Sequence, residues 1–220
     1  MIRKFRWSTD GGASWTEVSA DLPYTLPIGT AGAGVLVEPL GQVAQIGEVT
    51  PSSPTHIILI AGQSNASGRA PDLTGAGYPA GVMEWREGAW APVGPRLYHG
   101  ASEDTKLIYH PDTGANFGFD RSFAAAYLAA NPGVSLYLVG AAAGGTGFIQ
   151  GDWTPGGASR AICFDRITAA LAAAPAGAVF KGVLWNQGEN DGQTLPGQDA
   201  YLASLSQFIA DFRSQIADVP

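Results

Sequence analysis

The sequence has few cysteines and few charged residues. Cys163 is the single cysteine, so no disulfide can form within the chain and no cysteine-based zinc site is expected. Charged residues make up 14% of the 220 residues, and the formal net charge is −7. A nucleic-acid surface needs a stripe of Lys and Arg to neutralise phosphates, so no nucleic-acid partner is expected. The same negative charge disfavours binding to an anionic membrane surface.

Long apolar runs are also lacking. No stretch of 18 apolar residues occurs, so no membrane-spanning helix is expected. The basic N-terminus, MIRKFRWSTDGG, is not followed by the apolar region of a signal peptide. One cysteine does not reveal the redox compartment, so the location stays open, with virion-associated and extracellular as alternatives. At 45% hydrophobic residues, the sequence is nevertheless typical of a globular protein.

Residues 1–50 predict a small β-rich module. The stretch FRWSTDGGASWTEV contains two short strand patterns around an Asp-Gly-Gly turn. Extended patterns continue towards residue 50, and residues 51–55, with Pro, Ser and Thr, predict a linker. A module of this size is too short for a sizeable core, so we expect it to pack against another surface.

Residues 56–220 predict one α/β domain. Three apolar runs have the continuous hydrophobicity of strands buried on both faces: IILIAG (57–62), VSLYLVG (134–140) and AVFKGVLW (178–185). Between and after these runs, apolar residues recur at helical spacing, which predicts helices at 119–130, 159–174 and 199–217. In the last helix, the stripe expected to face the core is Leu202, Leu205, Ile209, Phe212 and Ile216. The alternation predicts βαβ units and a parallel sheet, and the Gly- and Pro-rich segment 66–118 predicts a functional loop region.

Each predicted strand ends in a distinctive loop. The loops are GQSN (62–65), GAAAGGTGF (140–148) and WNQGEND (185–191). Because the carboxyl ends of parallel strands meet at one edge of a sheet, we expect these loops to converge. Open α/β sheets bind their ligands at that edge, so the sequence places the candidate site there.

The residue types in these loops suit acyl transfer. A serine directly after a strand, Ser64, lies on a tight turn and can attack a carbonyl carbon. The oxyanion that forms needs fixed donors, which the backbone N–H of Gly145 and a side-chain amide such as Gln187 or Asn190 can supply. The alternatives are an ordinary turn at Ser64 and a strand-to-helix turn at Gly145.

Four blocks in order resemble the SGNH (GDSL-like) hydrolases, in the branch of the sialate O-acetylesterases and related carbohydrate esterases. The blocks are AGQSNASGR, ANFGFDRSFAAAYLAANP, AAAGGTGF and KGVLWNQGEND, within residues 56–218. The resemblance implies a flavodoxin-like, three-layer α/β/α fold. It also implies a serine esterase that removes O-acetyl groups from carbohydrate, either sialate or polysaccharide, without a metal or other cofactor.

The resemblance also implies roles for single residues. Ser64 would be the nucleophile, and its own N–H and that of Gly145 would be oxyanion donors. Gln187 would supply the side-chain donor, with Asn190 as the weaker candidate. Further substrate-binding candidates are Asn65, Asn190, Glu189 and His110.

Glu189 and Asp191 admit two interpretations. We expect their carboxylates to hold neighbouring loops together, and a metal-binding or acid–base pair is the alternative. The tryptophans Trp85, Trp90 and Trp153 admit packing in the loops or stacking on a sugar, and packing is expected. A dinucleotide site at Gly145 and Gly147 is not expected, because Gln150 stands where the third glycine is needed.

The catalytic histidine is the missing part. The family places it in a late Asp-x-x-His block, which occurs nowhere in this sequence. His56 begins the first predicted strand, at the wrong edge of the sheet, and His99 and His110 lie in the long loop segment. We therefore expect the fold to be incomplete at its C-terminus, with the histidine and two further strands, which would cover apolar surface, in a missing segment.

The alternative hypothesis for function comes from a different class. A β-rich module joined to a carbohydrate-active domain, without a signal peptide, is typical of phage tail and fibre proteins. The chain would then be a non-catalytic glycan-binding or structural component, assembled with other chains, whose esterase site is incomplete.

Overall fold

The computed structural model describes residues 3–8, 16–20, 36–39, 53–71, 77–101 and 116–216. The chain divides into two compact units, Met1–Ser52 and Ser53–Pro220. Three strands of the first unit form an antiparallel sheet in the order β2-β1-β3: β1 (Arg3–Ser8), β2 (Thr16–Ala20) and β3 (Leu36–Pro39). β1 and β2 are the two strands expected in FRWSTDGGASWTEV, and Phe5 pairs with Val18 in their antiparallel register.

A five-stranded sheet forms the centre of the second unit. Its order is β10-β4-β9-β6-β7, and the first four of these strands are parallel. The strands are β4 (Thr55–Gly62), β6 (Met83–Arg86), β7 (Ala89–Pro92), β9 (Ser135–Ala142) and β10 (Val179–Asn186). A separate antiparallel pair joins β5 (Ala70–Pro71) to β8 (Asn116–Phe117). The three predicted parallel strands are therefore neighbours, with β4 between β9 and β10.

The hairpin of β6 and β7 lies in the segment that the sequence predicts to be loop. Trp85 pairs with Trp90, and the two residues at the turn, Glu87 and Gly88, both have positive φ, at 49° and 86°. A two-residue turn with positive φ at both residues matches the right-handed twist of the two strands that it joins. Each strand has only four residues, so the segment gives no long alternating pattern in the sequence.

Four α-helices accompany the sheet in the described part of the chain. They are α1 (Ser64–Ser67), α2 (Asp120–Ala130), α3 (Ala158–Ala172) and α4 (Leu195–Gln215), and a 3₁₀ turn spans Asp191–Gln193. α4 begins earlier than predicted, because the hydroxyl of Thr194 caps it by accepting from the N–H of Gly197, 3.2 Å away. No described helix is both long and apolar enough to cross a lipid bilayer.

The core has two halves, one on each face of the sheet. Ile57 and Leu59 of β4 pack with residues of α3 and α4, whereas Ile58 and Ile60 pack with residues of α2 on the opposite face. Alternate side chains of a strand point to opposite faces, so β4 is buried on both. This arrangement confirms the predicted three-layer α/β/α architecture.

The predicted apolar stripe of α4 is only partly correct. Phe208, Phe212 and Ile216 are buried, at a spacing of four residues that keeps one face of the helix on the core. Leu202 and Ile209 of the predicted stripe are exposed, by 75% and 41%. A groove of about 300 Å³ runs between α4 and β10, and Val183, Leu205 and Ile209 are among its lining residues.

Candidate active site

The first loop of the site begins with a glycine that the backbone requires. Gly62 ends β4 with φ +133°, and a Cβ at this position would overlap the carbonyl oxygen of Asn186. That oxygen accepts from the N–H of Gln63 at 2.9 Å. Only glycine allows the ends of β4 and β10 to approach this closely. The turn directly before Ser64 is therefore tied to the third loop.

Ser64 is the first residue of the short helix α1. The carbonyl oxygen of Gln63 accepts from the N–H groups of Ala66 and Ser67, at 2.9 and 3.0 Å, which fixes the first turn. Ser64 is half-buried, and its own N–H and hydroxyl have no hydrogen-bond partner among the described residues. A serine hydroxyl and a backbone donor are thus available at the carboxyl end of a central strand, where the sequence predicts them.

The second loop follows β9 and contains Gly145. Its φ of +77° favours glycine, its carbonyl oxygen accepts from Nδ2 of Asn190 at 2.6 Å, and its N–H has no partner in the described ranges. The hydroxyl of the next residue, Thr146, donates to Ala143 O at 2.6 Å and accepts from Nε1 of the buried Trp153 at 2.9 Å. The peptide at Gly145 is therefore held from both sides.

The third loop brings Gln187 to the same edge. Its Nε2 lies 2.6 Å from Oδ2 of Asp191, 3.0 Å from Oε1 of Gln63 and 3.2 Å from the carbonyl oxygen of Thr146. A carboxamide nitrogen carries two hydrogens, and here three protein acceptors surround it. The predicted role of Gln187 as an oxyanion donor would therefore require it to leave one of these acceptors.

Asp191 and Glu189 both connect loops. Asp191 is 1% exposed, and its carboxylate accepts from the N–H groups of Phe148 and Ile149, at 3.1 and 2.7 Å. Glu189 is exposed and accepts from Nδ2 of Asn65, next to Ser64. These hydrogen bonds link neighbouring loops, as expected for the two carboxylates, and the substrate-binding role of Glu189 stays a prediction. Within the part of the chain that the structure describes, no group of three or more His, Cys, Asp or Glu side chains could hold a metal ion.

The two described histidines lie in unsuitable positions for a general base. His56 is at the opposite end of β4 from Ser64, and its Nδ1 is 2.8 Å from the hydroxyl of Tyr127. His99 is buried, and its Nδ1 accepts from the N–H of Ala142 at 3.0 Å, so the ring proton lies on Nε2. Burial and the nearby Arg166 lower the pKa of His99 to about 3. His110 lies outside the described residues.

Two of the three tryptophans considered for sugar stacking are excluded from that role. Trp153 is fully buried and Trp85 is 4% exposed. Trp90 is half-buried and packs against Trp85 and Tyr137, with ring centroids 5.3 and 4.8 Å apart.

Cys163 is also buried in the core, which raises the pKa of its thiol to about 12.

Sequence reasoning missed one residue of the site. Gln63 is 3% exposed, and its Oε1 faces Gln187 Nε2 and the N–H groups of Asn190 and Gly188, at 3.0, 3.3 and 3.5 Å. In the sequence it appears only as part of the turn before Ser64. The available signal was its residue type, because glutamine is not one of the residues that dominate turns.

A comparison with protein families identifies the chain. The family model described as SASA, carbohydrate esterase, sialic acid-specific acetylesterase, matches residues 54–220. The chain belongs to this family. The resemblance to the SGNH-like carbohydrate esterases is thereby confirmed for the second unit of this SASA-family protein. A comparison with curated proteins found no match.

Solved structures are similar to this SASA-family chain, and the first two described here share its fold. A protein from Arabidopsis thaliana has a TM-score of 0.58 and 20% identity, over 73% of this chain and 69% of its own. NanS has a TM-score of 0.55 and 19% identity, over 78% and 67%. A carbohydrate acetylesterase from Xanthomonas citri has a TM-score of 0.45 and 18% identity, over 97% of this chain and 51% of its own.

Proposed function

We propose that the chain is a serine esterase that removes O-acetyl groups from carbohydrate, with Ser64 as its nucleophile. One observation carries the proposal. Ser64, with its N–H and hydroxyl unpartnered among the described residues, lies at the edge where hydrogen bonds join three loops. Membership of a family described as sialic acid-specific acetylesterases supports the same chemistry.

The reaction proceeds in two steps. Ser64 Oγ attacks the acetyl carbonyl carbon while a general base takes its proton, and the tetrahedral oxyanion accepts from the N–H groups of Ser64 and Gly145. The C–O bond to the sugar then breaks, and the proton returns to the sugar oxygen. A water molecule attacks the acetyl-enzyme in the same way, which releases acetate and restores the serine.

We place the general base of this mechanism outside the described residues. His99 is held by Ala142 with its proton on Nε2, and His56 is at the far end of β4. The remaining candidates are His110 and a histidine, preceded by an aspartate, from outside these 220 residues. We favour the second, as the resemblance implies, and treat His110 as a substrate-side candidate together with Asn65, Asn190 and Glu189.

The test measures hydrolysis of p-nitrophenyl acetate and release of acetate from an O-acetylated sialic acid and an acetylated neutral polysaccharide. We expect Ser64→Ala to abolish turnover, whereas Ser206→Ala, an exposed serine on α4, leaves it unchanged. Mass spectrometry should find the acetyl group on the Ser64 peptide. Hydrolysis that survives Ser64→Ala would overturn the proposal.

The source of the base has its own test. If the base is absent from residues 1–220, added imidazole should increase turnover in a Ser64-dependent manner, and His110→Ala should have no effect on kcat. A strong loss of kcat in His110→Ala would instead assign the base to His110. Absence of Ser64 acetylation under all these conditions would favour the non-catalytic, glycan-binding alternative.

A further inference from the structure

Three polar side chains form a continuous hydrogen-bonded path across the site edge. Asp191 Oδ2 accepts from Nε2 of Gln187, and the same nitrogen reaches Oε1 of Gln63, at 2.6 and 3.0 Å. Asp191 and Gln63, at the two ends of the path, are 1% and 3% exposed, and Gln187 between them is half-buried. We call Asp191, Gln187 and Gln63 the amide relay. It runs from the third loop to the residue directly before Ser64.

Each member of the relay sets the orientation of the next. A carboxylate only accepts hydrogen bonds, so Asp191 requires the nitrogen of the Gln187 carboxamide to face it. That nitrogen donates, so the Gln63 carboxamide in turn has to present its oxygen to Gln187. The backbone N–H of Asn190, 3.3 Å from Gln63 Oε1, requires the same orientation. A flip of Gln63 would place its nitrogen against the donors of Gln187 and Asn190, and a flip of Gln187 would place its oxygen against acceptors.

The orientation of Gln187 leaves one atom without a partner. Its Oε1 is buried and accepts no hydrogen bond from any described residue. An unsatisfied buried acceptor costs about 1–3 kcal/mol, and such costs are found where a site needs a particular geometry. The three acceptors around Nε2 hold the carboxamide in this orientation despite the cost, and they leave Oε1 unpaired beside the site.

Gln63 transmits the relay to the nucleophile through the backbone. Its carbonyl oxygen fixes the first turn of α1 by accepting from Ala66 and Ser67, and its N–H donates to Asn186. Its side chain binds the third loop through Gln187 and Asn190. Loss of the side-chain bonds would leave the peptide before Ser64 held by its backbone alone.

We propose that Gln63 is a positioning residue, which holds Ser64 in register with the Gly145 N–H through the amide relay. This inference rests on the esterase function proposed above. Gln63 does not touch the reacting atoms. It fixes the distance between nucleophile and oxyanion donors, and that distance affects the transition state more than the binding of the ester.

The test replaces the acceptor without changing the length of the side chain. Gln63→Met is expected to lower kcat about 10- to 100-fold for p-nitrophenyl acetate, because displacement of a reacting group by 1 Å costs about that factor. KM should stay within about threefold, since ground-state binding does not use the relay. A matched control, Gln198→Met, removes a bond from an exposed glutamine to Gly192 O and should leave both constants unchanged.

A double-mutant cycle separates the relay from general packing. Gln187→Met should lower kcat by a similar factor, and Gln63→Met with Gln187→Met should lose no more than the worse single variant. If the two losses multiply instead, the residues act independently and the relay is wrong. If Gln63→Met does not fold, Gln187→Met with the KM and kcat comparison carries the test from the other end of the bond.

The outcomes distinguish this inference from the function on which it rests. Acetylation of Ser64 in the wild type, with wild-type kcat in Gln63→Met and Gln187→Met, would overturn the relay and leave the esterase intact. A loss of activity in proportion to the unfolded fraction, measured by circular dichroism, would also overturn it. No Ser64 acetylation in the wild type would overturn both proposals.

Discussion

Nδ1 of His99 lies 3.0 Å from the backbone nitrogen of Ala142 and accepts its N–H. The bond joins the loop after β7 to the end of β9, close to the second loop of the site. It is possible only while the ring is neutral, because a doubly protonated imidazole has no acceptor. His99 is thus a buried structural base whose protonation would break a bond beside the site.

The first prediction concerns the stability of the protein in acid. Folding lowers the pKa of His99 from 6.5 to about 3, mainly through burial. Between these two pH values, His99 is protonated in the unfolded chain and neutral in the native protein. This contribution to stability is complete above pH 6.5 and is lost as the pH falls towards 3. His99→Asn keeps an acceptor for Ala142 and does not titrate. Urea titrations should show that the free energy of unfolding falls less steeply between pH 6.5 and 4 in His99→Asn than in the wild type. The two slopes should differ by up to about 1.4 kcal/mol per pH unit. Equal slopes in the two proteins would contradict the assignment.

The second prediction concerns Asp120, whose contribution to stability is lost as the pH rises. Burial raises the pKa of Asp120 from 3.8 to about 6, and its carboxyl group accepts from the hydroxyl of Tyr78. The folded protein therefore prefers the protonated acid, so this contribution is complete below pH 3.8 and is lost as the pH rises towards 6. Asp120→Asn stays neutral throughout. Its stability relative to the wild type should improve by about 2–3 kcal/mol between pH 4 and 7, as measured by chemical denaturation. A pH-independent difference would show that folding does not raise the pKa of Asp120.

The third prediction concerns the close approach of β4 and β10. Gly62→Ala forces a methyl group onto the carbonyl of Asn186 at φ +133°, and we expect a loss of at least about 3 kcal/mol or failure to fold. Gly192→Ala is the matched control, because a Cβ at Gly192 has open space around it. The melting temperature of Gly192→Ala should stay within a few degrees of the wild-type value, which corresponds to a change in stability of no more than about 1 kcal/mol. Similar melting temperatures for both variants would argue against the tight junction.

The strands and the edge that holds the site follow from the sequence for a physical reason. A parallel strand is buried on both faces, so β4, β9 and β10 read as unbroken apolar runs, and their carboxyl ends must meet. The hairpin of β6 and β7 has neither property. Its strands are short, and the Glu87-Gly88 turn differs from the Asn-Gly and Asp-Gly pairs that mark hairpins.

The orientation of the carboxamides cannot be predicted from the sequence in the same way. The spacing of Gln187 and Asp191 places both in the third loop, where a 3₁₀ turn begins at Asp191 and the Asp191 carboxylate accepts from Nε2 of Gln187. Gln63 and Gln187 are 124 positions apart in the chain. A contact of that separation depends on the register of β4 against β10, which the sequence pattern of either strand alone does not contain.

Thr146 connects the site to the interior of the protein. Its carbonyl oxygen accepts from Gln187, while its hydroxyl accepts from Trp153, which packs against Trp185 with ring centroids 4.9 Å apart. Opening of the loop at Thr146 would therefore disturb the core. The hydrogen-bonded amides of Gly147, Phe148 and Ile149 should exchange with solvent slowly, whereas the N–H of Gly145, unpartnered among the described residues, should exchange fast. The conformational entropy of these loops is lost when the protein folds. A ligand that binds at this edge therefore does not have to order these loops again.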